Sequence, residues 1–456
     1  MKILNFLLII FISISSSIKA DSKKNLIEEL KNGGKLIFIR HAYAPGGGDP
    51  DNFDINDCKT QRNLSDSGRI QSQKIGSFFE KNKILIGKVY SSEWCRCKET
   101  AFIAFEKYET KNFNSWLTPI FTGLMILVLR LIVDLFRILD TIVYPSLKKQ
   151  IKNPIIIVGN PRSGTTFLHR YLISQGLGQG SQLWQMVYPS ILFQKMIKPF
   201  LPHMEKISPA KHHSTDAHET SLASIETDDV SILFRFFDGF FLYGFFLTFN
   251  ENNLFHWVDP KIRDTSKRDF LWFESLWKRN LLSNKGSRYL GKLFSLSSNL
   301  PEFQKKFPDS KIIYMMRDPL QVIPSGLSLV TGVLDKKFNF WSLGSATQKR
   351  FIKRLYKALV ELMNRFHEDW TNGNIKKEKV LIVKFDFMMS DFENLMESIL
   401  VFLEIEKNSD LAQSIKATAK DQRAFKSKHQ YDLNRFGLTE KKIKSDCEKI
   451  YRTFLS

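Results

Sequence analysis

From residue 151 onward, short runs rich in Ile, Val or Met alternate with longer stretches of helical periodicity. Runs at 154–159, 311–316 and 379–385 are predicted strands, and 393–403 is one of the helical patterns between them. Strands alternating with helices predict an α/β fold with a doubly wound parallel sheet. The Phe-rich run 232–249 predicts a buried helix, or alternatively an apolar wall for a lipid-like acceptor. Upstream, 116–147 predicts a strongly apolar helix. Its uncharged part, 117–129, is short for a membrane span. Arg130, Asp134 and Arg137 then recur on one face with Asp140 nearby, and an i,i+4 Arg130–Asp134 pair would mask charge. The pattern fits an amphipathic helix lying on a membrane or packed on the last domain, with a true span to Val143 as the alternative. Residues 21–110 are more polar and carry a predicted strand at 35–39 that ends in Arg40-His41.

The strand-loop-helix pattern is sharpest at Ile155-Ile156-Ile157-Val158-Gly159-Asn160-Pro161-Arg162-Ser163-Gly164-Thr165-Thr166-Phe167. Such a turn points backbone N–H groups and a helix N-terminus at an anion. Gly159 and Gly164 have the spacing of an ATP-type phosphate loop, but Thr165 stands where that loop needs Lys. Arg162 is the cation offered instead. A second strand, 311–316, runs into Arg317-Asp318-Pro319, with Ser325 following on a predicted helix.

The succession Arg162-Ser163-Gly164-Thr165-Thr166 resembles the phosphosulfate loop of the sulfotransferases, and Arg317 with Ser325 resembles their second donor motif. The resemblance implies the sulfotransferase variant of the P-loop nucleotide-binding fold over 151–456. It also implies transfer of a sulfuryl group from 3′-phosphoadenosine 5′-phosphosulfate to an acceptor hydroxyl or amine, without a metal. Arg162 and the N–H groups of 163–166 would stabilise the departing oxygen. Thr165 and Thr166 would hold phosphate oxygens, Phe167 would lie against the adenine, and Arg317 with Ser325 would hold the 3′-phosphate. Lys292, in Tyr289-Leu290-Gly291-Lys292, resembles the family lysine after the second strand, although Leu293-Phe294-Ser295 departs from the usual continuation. For a general base the sequence offers His212, His213, His218 and Glu219, or Glu226-Thr227-Asp228-Asp229; Asp229 is preferred, then His218. The tail 429–438 resembles the family's end, and Arg423, Lys426 and Lys428 before or within it could close over phosphates. Phe385 stands where many relatives have Tyr.

A formal net charge of +20 suits an anionic donor or an anionic membrane face, and drift toward Lys-rich composition would also produce it. No nucleic-acid-binding motif is present. Residues 1–20 have the form of a secretory signal, or of an uncleaved anchor. Behind it, Cys58 with Cys95 or Cys97 suits a disulfide.

Residues 21–112 bear a second resemblance, to part of a histidine phosphatase. Leu36-Ile37-Phe38-Ile39-Arg40-His41, the segment 63–69 and the segment 90–96 occur in the family's order. The resemblance makes His41 the nucleophile and Arg40 and Arg96 its phosphate clamp. The family's second active-site His is absent, since no His lies between His41 and His169. An inactive, vestigial site and exposed sheet edges are therefore expected. The predicted organisation is a signal at 1–20, the phosphatase-like segment at 21–112, the apolar helix at 113–150, and the transferase at 151–456. A span would place the segment outside and the transferase in the cytoplasm; a secreted or periplasmic protein is the alternative. The sequence leaves the acceptor open, with a lipid or a glycan among the candidates. A phosphohydrolase acting through His41 and a non-catalytic, membrane-tethered nucleotide-binding protein are the competing readings.

Overall fold

The computed structural model describes residues 22–32, 37–46, 49–50, 52–55, 57–106, 108–110, 114–208, 220–338, 340–424 and 432–455. The chain divides into two compact units between Leu127 and Val128. The proposed signal at 1–20 lies outside the described residues.

In the first unit, helices Asp66–Lys81 and Cys95–Phe105 accompany a minimal parallel pair, β1 (Tyr90–Ser91) and β2 (Glu109–Thr110). Ser65 caps the first of these helices by accepting from the Gly68 N–H at 3.2 Å. Cys58 and Cys95 form the disulfide, with Cα atoms 5.6 Å apart, and Cys97 is free. The strand expected at 35–39 is not formed over its described part. Ile37 to Arg40 belong to no strand, and Phe38 is 74% exposed. A strand with no neighbouring sheet leaves its backbone and apolar side chains to water.

The phosphate clamp expected here is also not assembled. Arg96 is buried and donates to Asp49 at 2.9 Å; despite burial, the Arg62 N–H and then Arg96 hold that carboxyl below its ordinary value. The Arg96 guanidinium also lies 4.5 Å from the centroid of the Trp94 ring. His41 places Nδ1 2.8 Å from the carbonyl oxygen of its neighbour Ala42, and Arg40 is exposed.

The second unit is built on a four-stranded parallel sheet of β3 (Ile155–Val158), β4 (Leu290–Lys292), β5 (Lys311–Met316) and β6 (Val380–Lys384), in the order β4-β3-β5-β6. Ile155 pairs with Leu290 on one side and Lys311 on the other. β3 and β5 are buried on both faces, as central parallel strands require. Alternation divides their side chains between two cores. Ile156, Val158, Ile312, Tyr314 and Met316 enter one, with Trp277, Phe303 and Phe366. Ile155, Ile157, Ile313 and Met315 enter the other, with Leu168, Phe392 and Met396.

The Phe-rich run departs from expectation. It forms two helices, Asp229–Phe236 and Gly239–Phe245, separated where Phe237 takes a left-handed φ of 53°. Asp238 fixes the break by accepting from the Gly239 N–H at 2.7 Å and pairing with Arg263 and Arg268.

The apolar helix spans Asn114–Val143. Among the described residues no helix is long and apolar enough to cross a membrane. The Arg130–Asp134 pair is replaced by tertiary contacts. Asp134 pairs with Arg137 and Arg235, while Arg130 donates to the Phe234 carbonyl at 2.9 Å. Asp140, fully buried, accepts from Ser190 Oγ, the N–H groups of Ile191 and Leu192, and Arg279. From Val128 on, this helix is thus packed on the second unit through its charged residues.

Candidate active site

The donor loop joins β3 to the helix Thr165–Ser174 at the C-terminal edge of the sheet, where ligands bind in open α/β folds. Two glycines make the turn possible. Gly159 has φ +139°, and a Cβ there would lie 2.4 Å from the Met315 carbonyl oxygen. Gly164 has φ +84°, and a Cβ would lie 2.7 Å from the Met388 methyl and 2.9 Å from the Phe385 ring. Arg162 adopts φ +78°, a conformation costing roughly 1 kcal/mol for a residue with a Cβ. Its carbonyl accepts from Arg317 at 2.7 Å, and its own Nε donates to Ser325 Oγ at 3.0 Å.

Arg162, Arg317 and Ser325 therefore meet in one cluster, which also joins the loop to the Arg317–Ser325 pair. Ser325 is buried on the helix Pro319–Phe338, directly after the β5 turn. Arg317 also donates to Gln321 at 3.1 Å, and its guanidinium lies 4.0 Å from the centroid of the Phe385 ring. The position held by Tyr in many relatives thus offers a cation-binding face here and no hydroxyl.

One expected donor is committed elsewhere. The Ser163 N–H closes the loop onto the Asn160 carbonyl at 3.1 Å. The free first-turn N–H groups of an α-helix are those of its opening residues, here Thr165, Thr166 and Phe167. Thr165 is buried, and Thr166 is half-buried. The Phe167 ring packs against Tyr171 and Phe392, with centroids 6.2 and 5.8 Å away.

Lys292 ends β4 and is buried, so it is not a solvated strand-end lysine. Its Nζ donates to Thr166 Oγ1 at 3.0 Å. Burial pulls its pKa down; Glu226 is the strongest opposing charge and Arg170 adds repulsion. Glu226 is itself buried, paired with Arg170 at 2.9 Å, and accepts from Ser224 Oγ at 2.9 Å. Beneath them His169 is fully buried and held near pKa 3, first by burial and then by Lys292; its Nε2 lies 3.0 Å from the Leu290 carbonyl oxygen. It is a neutral structural imidazole at physiological pH.

Asp229 lines a cleft with Phe240 and Phe270 and is held by its neighbours. Both of its oxygens are occupied, Oδ2 by Thr227 Oγ1 at 2.6 Å and the Phe294 N–H at 2.9 Å, Oδ1 by the N–H and hydroxyl of Ser295. It ties the start of the helix Asp229–Phe236 to the chain leaving β4, and burial raises its pKa. Asp228 is likewise internal, accepting from Tyr289 Oη at 2.6 Å and the Lys292 N–H at 3.2 Å. His218, with His212, His213 and Glu219, lies outside the described residues, as do Lys426, Lys428 and His429. Arg423 is described, and its guanidinium lies 3.5 Å from Glu393. No group of acidic, His and Cys side chains able to hold a metal occurs among the described residues.

Sequence patterns brought out Arg162, Arg317, Ser325 and Lys292. The Arg170–Glu226 pair was missed as a unit, because its members stand 56 positions apart and only the fold joins them. A cleft beside this region is lined by Phe240, Trp257, Arg263, Phe270, Leu293 and Ser295.

The family profile described as "Sulfotransferase family" matches residues 154–409, more than half of the chain, and the chain belongs to that family. The fold is similar to that of sulfotransferase STF9 from Mycobacterium avium, at 17% identity and TM-score 0.52 over 68% of this chain and 79% of that one. It is also similar to sulfotransferase STF1 from Mycobacterium tuberculosis, at 16% identity and TM-score 0.54 over 74% and 86%. No curated protein matches the sequence significantly. The family match begins after the apolar helix and leaves 21–112 without support as a phosphatase-like segment.

Proposed function

We propose that this chain transfers a sulfuryl group from 3′-phosphoadenosine 5′-phosphosulfate to a hydroxyl or amine on an acceptor with an apolar or aromatic body. The observation that carries the reading is the meeting of two clusters at neighbouring strand ends, Lys292 with Thr166 and Arg162 with Ser325 and Arg317. In the transfer, the acceptor oxygen or nitrogen forms a bond to sulfur while the bond from sulfur to the bridging phosphate oxygen breaks. The departing oxygen gathers negative charge, which Lys292, Arg162 and the opening N–H groups of the helix Thr165–Ser174 stabilise. Arg317 and Ser325 hold the 3′-phosphate. The acceptor's proton passes to Glu226, whose charge acts on the buried Lys292 and whose orientation Arg170 fixes. The acceptor occupies the cleft of Phe240, Trp257 and Phe270.

Incubation with the donor and an acceptor library, read by mass spectrometry, tests this. Products heavier by one sulfuryl group, with 3′-phosphoadenosine 5′-phosphate released in equal amount, are expected. Tight donor binding with neither product nor nucleotide turnover would instead identify a nucleotide-binding protein without catalysis.

A further inference from the structure

We propose that the outward side of the helix Asn114–Val143, over its turns from Val128 on, is a docking face for an anionic lipid surface. The helix is turned the opposite way from an ordinary surface helix, which shows its charges to water. Arg130, Asp134 and Asp140 engage the second unit through the contacts above, and Arg137 donates to Ser275 Oγ at 3.0 Å. Leu131, Leu135, Ile138 and Ile142, at i, i+4, i+7 and i+11, are left 64, 58, 60 and 70% exposed. They form one stripe about 17 Å long.

A second element extends the patch. Asp140 caps the helix Ile191–Ile197, and Phe136 packs on Phe193 with ring centroids 5.0 Å apart. Met196 and Phe200, at the far end of this segment, are 56 and 65% exposed. Isolated apolar side chains at a surface are ordinary, whereas an exposed apolar stripe, with more exposed apolar side chains on the element packed against its helix, marks an interaction site.

Charge selects the occupant. No Asp or Glu occurs between residues 141 and 204, while Lys148 and Lys149, just after the helix, and Lys195 and Lys198, on the packed segment, are exposed. An apolar stripe followed by exposed lysines, with its one partly exposed acid, Asp134, paired to Arg137 and Arg235, matches the boundary between acyl chains and anionic headgroups. A protein partner would meet four like charges and need an acidic counterpart. The inference rests on this helix and not on the donor site, so either reading can fail alone.

Full-length protein is sedimented with vesicles of phosphatidylcholine, and with vesicles in which roughly a third of the lipid is phosphatidylserine. Binding to the anionic vesicles, weakened by salt, is expected. Leu135→Glu with Ile138→Glu should reduce that binding by at least about tenfold, because burying charge at the interface is costly. The thermal midpoint should be unchanged, since both side chains are exposed. Lys148→Glu and Lys195→Glu should each weaken anionic binding by roughly fivefold or more. Equal binding to both vesicle types, or undiminished binding by the Leu135/Ile138 variant, would overturn the proposal. So would a wild-type dimer that this variant converts to monomer without any vesicle binding, which would assign the face to a second copy.

Discussion

Lys292 reaches from the end of β4 to the first turn of the neighbouring helix, where its Nζ donates to Thr166 Oγ1 at 3.0 Å. A buried ammonium is thereby held at the N-terminus of the helix, the place where an anion also gains from the unpaired N–H groups. Two sources of positive potential converge on one spot. Hydroxyl and ammonium keep each other oriented before any anion arrives, so little reorganisation remains for the moment of transfer.

Replacing Lys292 by Ala should lower kcat by about 10²–10³-fold, the scale of losing one preorganised donor to a developing oxyanion. The affinity for 3′-phosphoadenosine 5′-phosphate should change far less. Burial lowers the Lys292 pKa, so the required charge is lost earlier than for an ordinary lysine as pH rises. The kcat–pH profile should therefore fall on its alkaline side. Lys292→Arg, which stays charged, should remove that limb. An alkaline limb that persists in the Arg variant would assign it to another group.

Arg317→Ala should weaken binding of 3′-phosphoadenosine 5′-phosphate by about 2–4 kcal/mol, as truncating one partner of a buried charge pair does. Because Arg317 also grips the Arg162 carbonyl, some loss in the loop itself is expected. Calorimetry with adenosine 5′-phosphate separates the two effects. A smaller loss for the nucleotide lacking the 3′-phosphate assigns Arg317 to that phosphate; equal losses would make it a loop clamp alone.

The difference between what was legible and what was not follows from sequence distance. The donor loop is a local device, with strand, glycines, Arg162 and helix within 155–174, and the neighbouring residues display it directly. Arg317 was legible because it immediately follows a β-branched and Met-rich strand. The bonds that hold Asp229 were hidden because one partner, Ser295, stands 66 positions later. The break at Phe237 was hidden because a left-handed residue with a large side chain carries no glycine signal. The charged face of Asn114–Val143 was visible in its spacing, but its inward direction was not. That direction is set by Ser275, Arg279 and Ser190, all remote in sequence.

Glu226 and Asp229 make opposite predictions. Glu226→Gln keeps the shape of the side chain and one acceptor for Arg170, and should lower kcat by about 10²–10⁴-fold while the protein stays folded, as losing a general base does. Asp229→Asn should act on stability, since its carboxylate accepts from Thr227, Phe294 and Ser295. Turning part of that acceptor set into a donor costs about 1–3 kcal/mol. Steady-state kinetics beside denaturant melts distinguish them. A stable Asp229→Asn protein with collapsed turnover would return the base role to Asp229.

Asp228 sets a pH dependence of stability that can be read separately from catalysis. It is fully buried, and burial raises its pKa from the ordinary 3.8 to about 7, against the lowering effect of hydrogen bonds from Tyr289 and the Lys292 N–H; nearby Asp229 adds to the rise. A carboxyl with a raised pKa binds its proton more tightly in the folded chain than in the unfolded one. Its contribution is therefore fully present below 3.8 and is lost as pH climbs toward 7. Neighbouring carboxylates such as Asp238 and Glu274, held down by arginine or lysine partners, slope the opposite way, so the whole-protein curve mixes both. The variant isolates the Asp228 part. Asp228→Asn is neutral at every pH and also loses one acceptor, which lowers stability by a roughly constant amount near 1 kcal/mol. The stability of wild type minus that of the variant, measured by urea unfolding, should then fall steadily between pH 4 and 7 and change sign, because the pH-dependent part outweighs the constant offset. A difference that stays flat across that range would mean that Asp228 is ionised throughout, with Tyr289 and the Lys292 N–H fully compensating its burial.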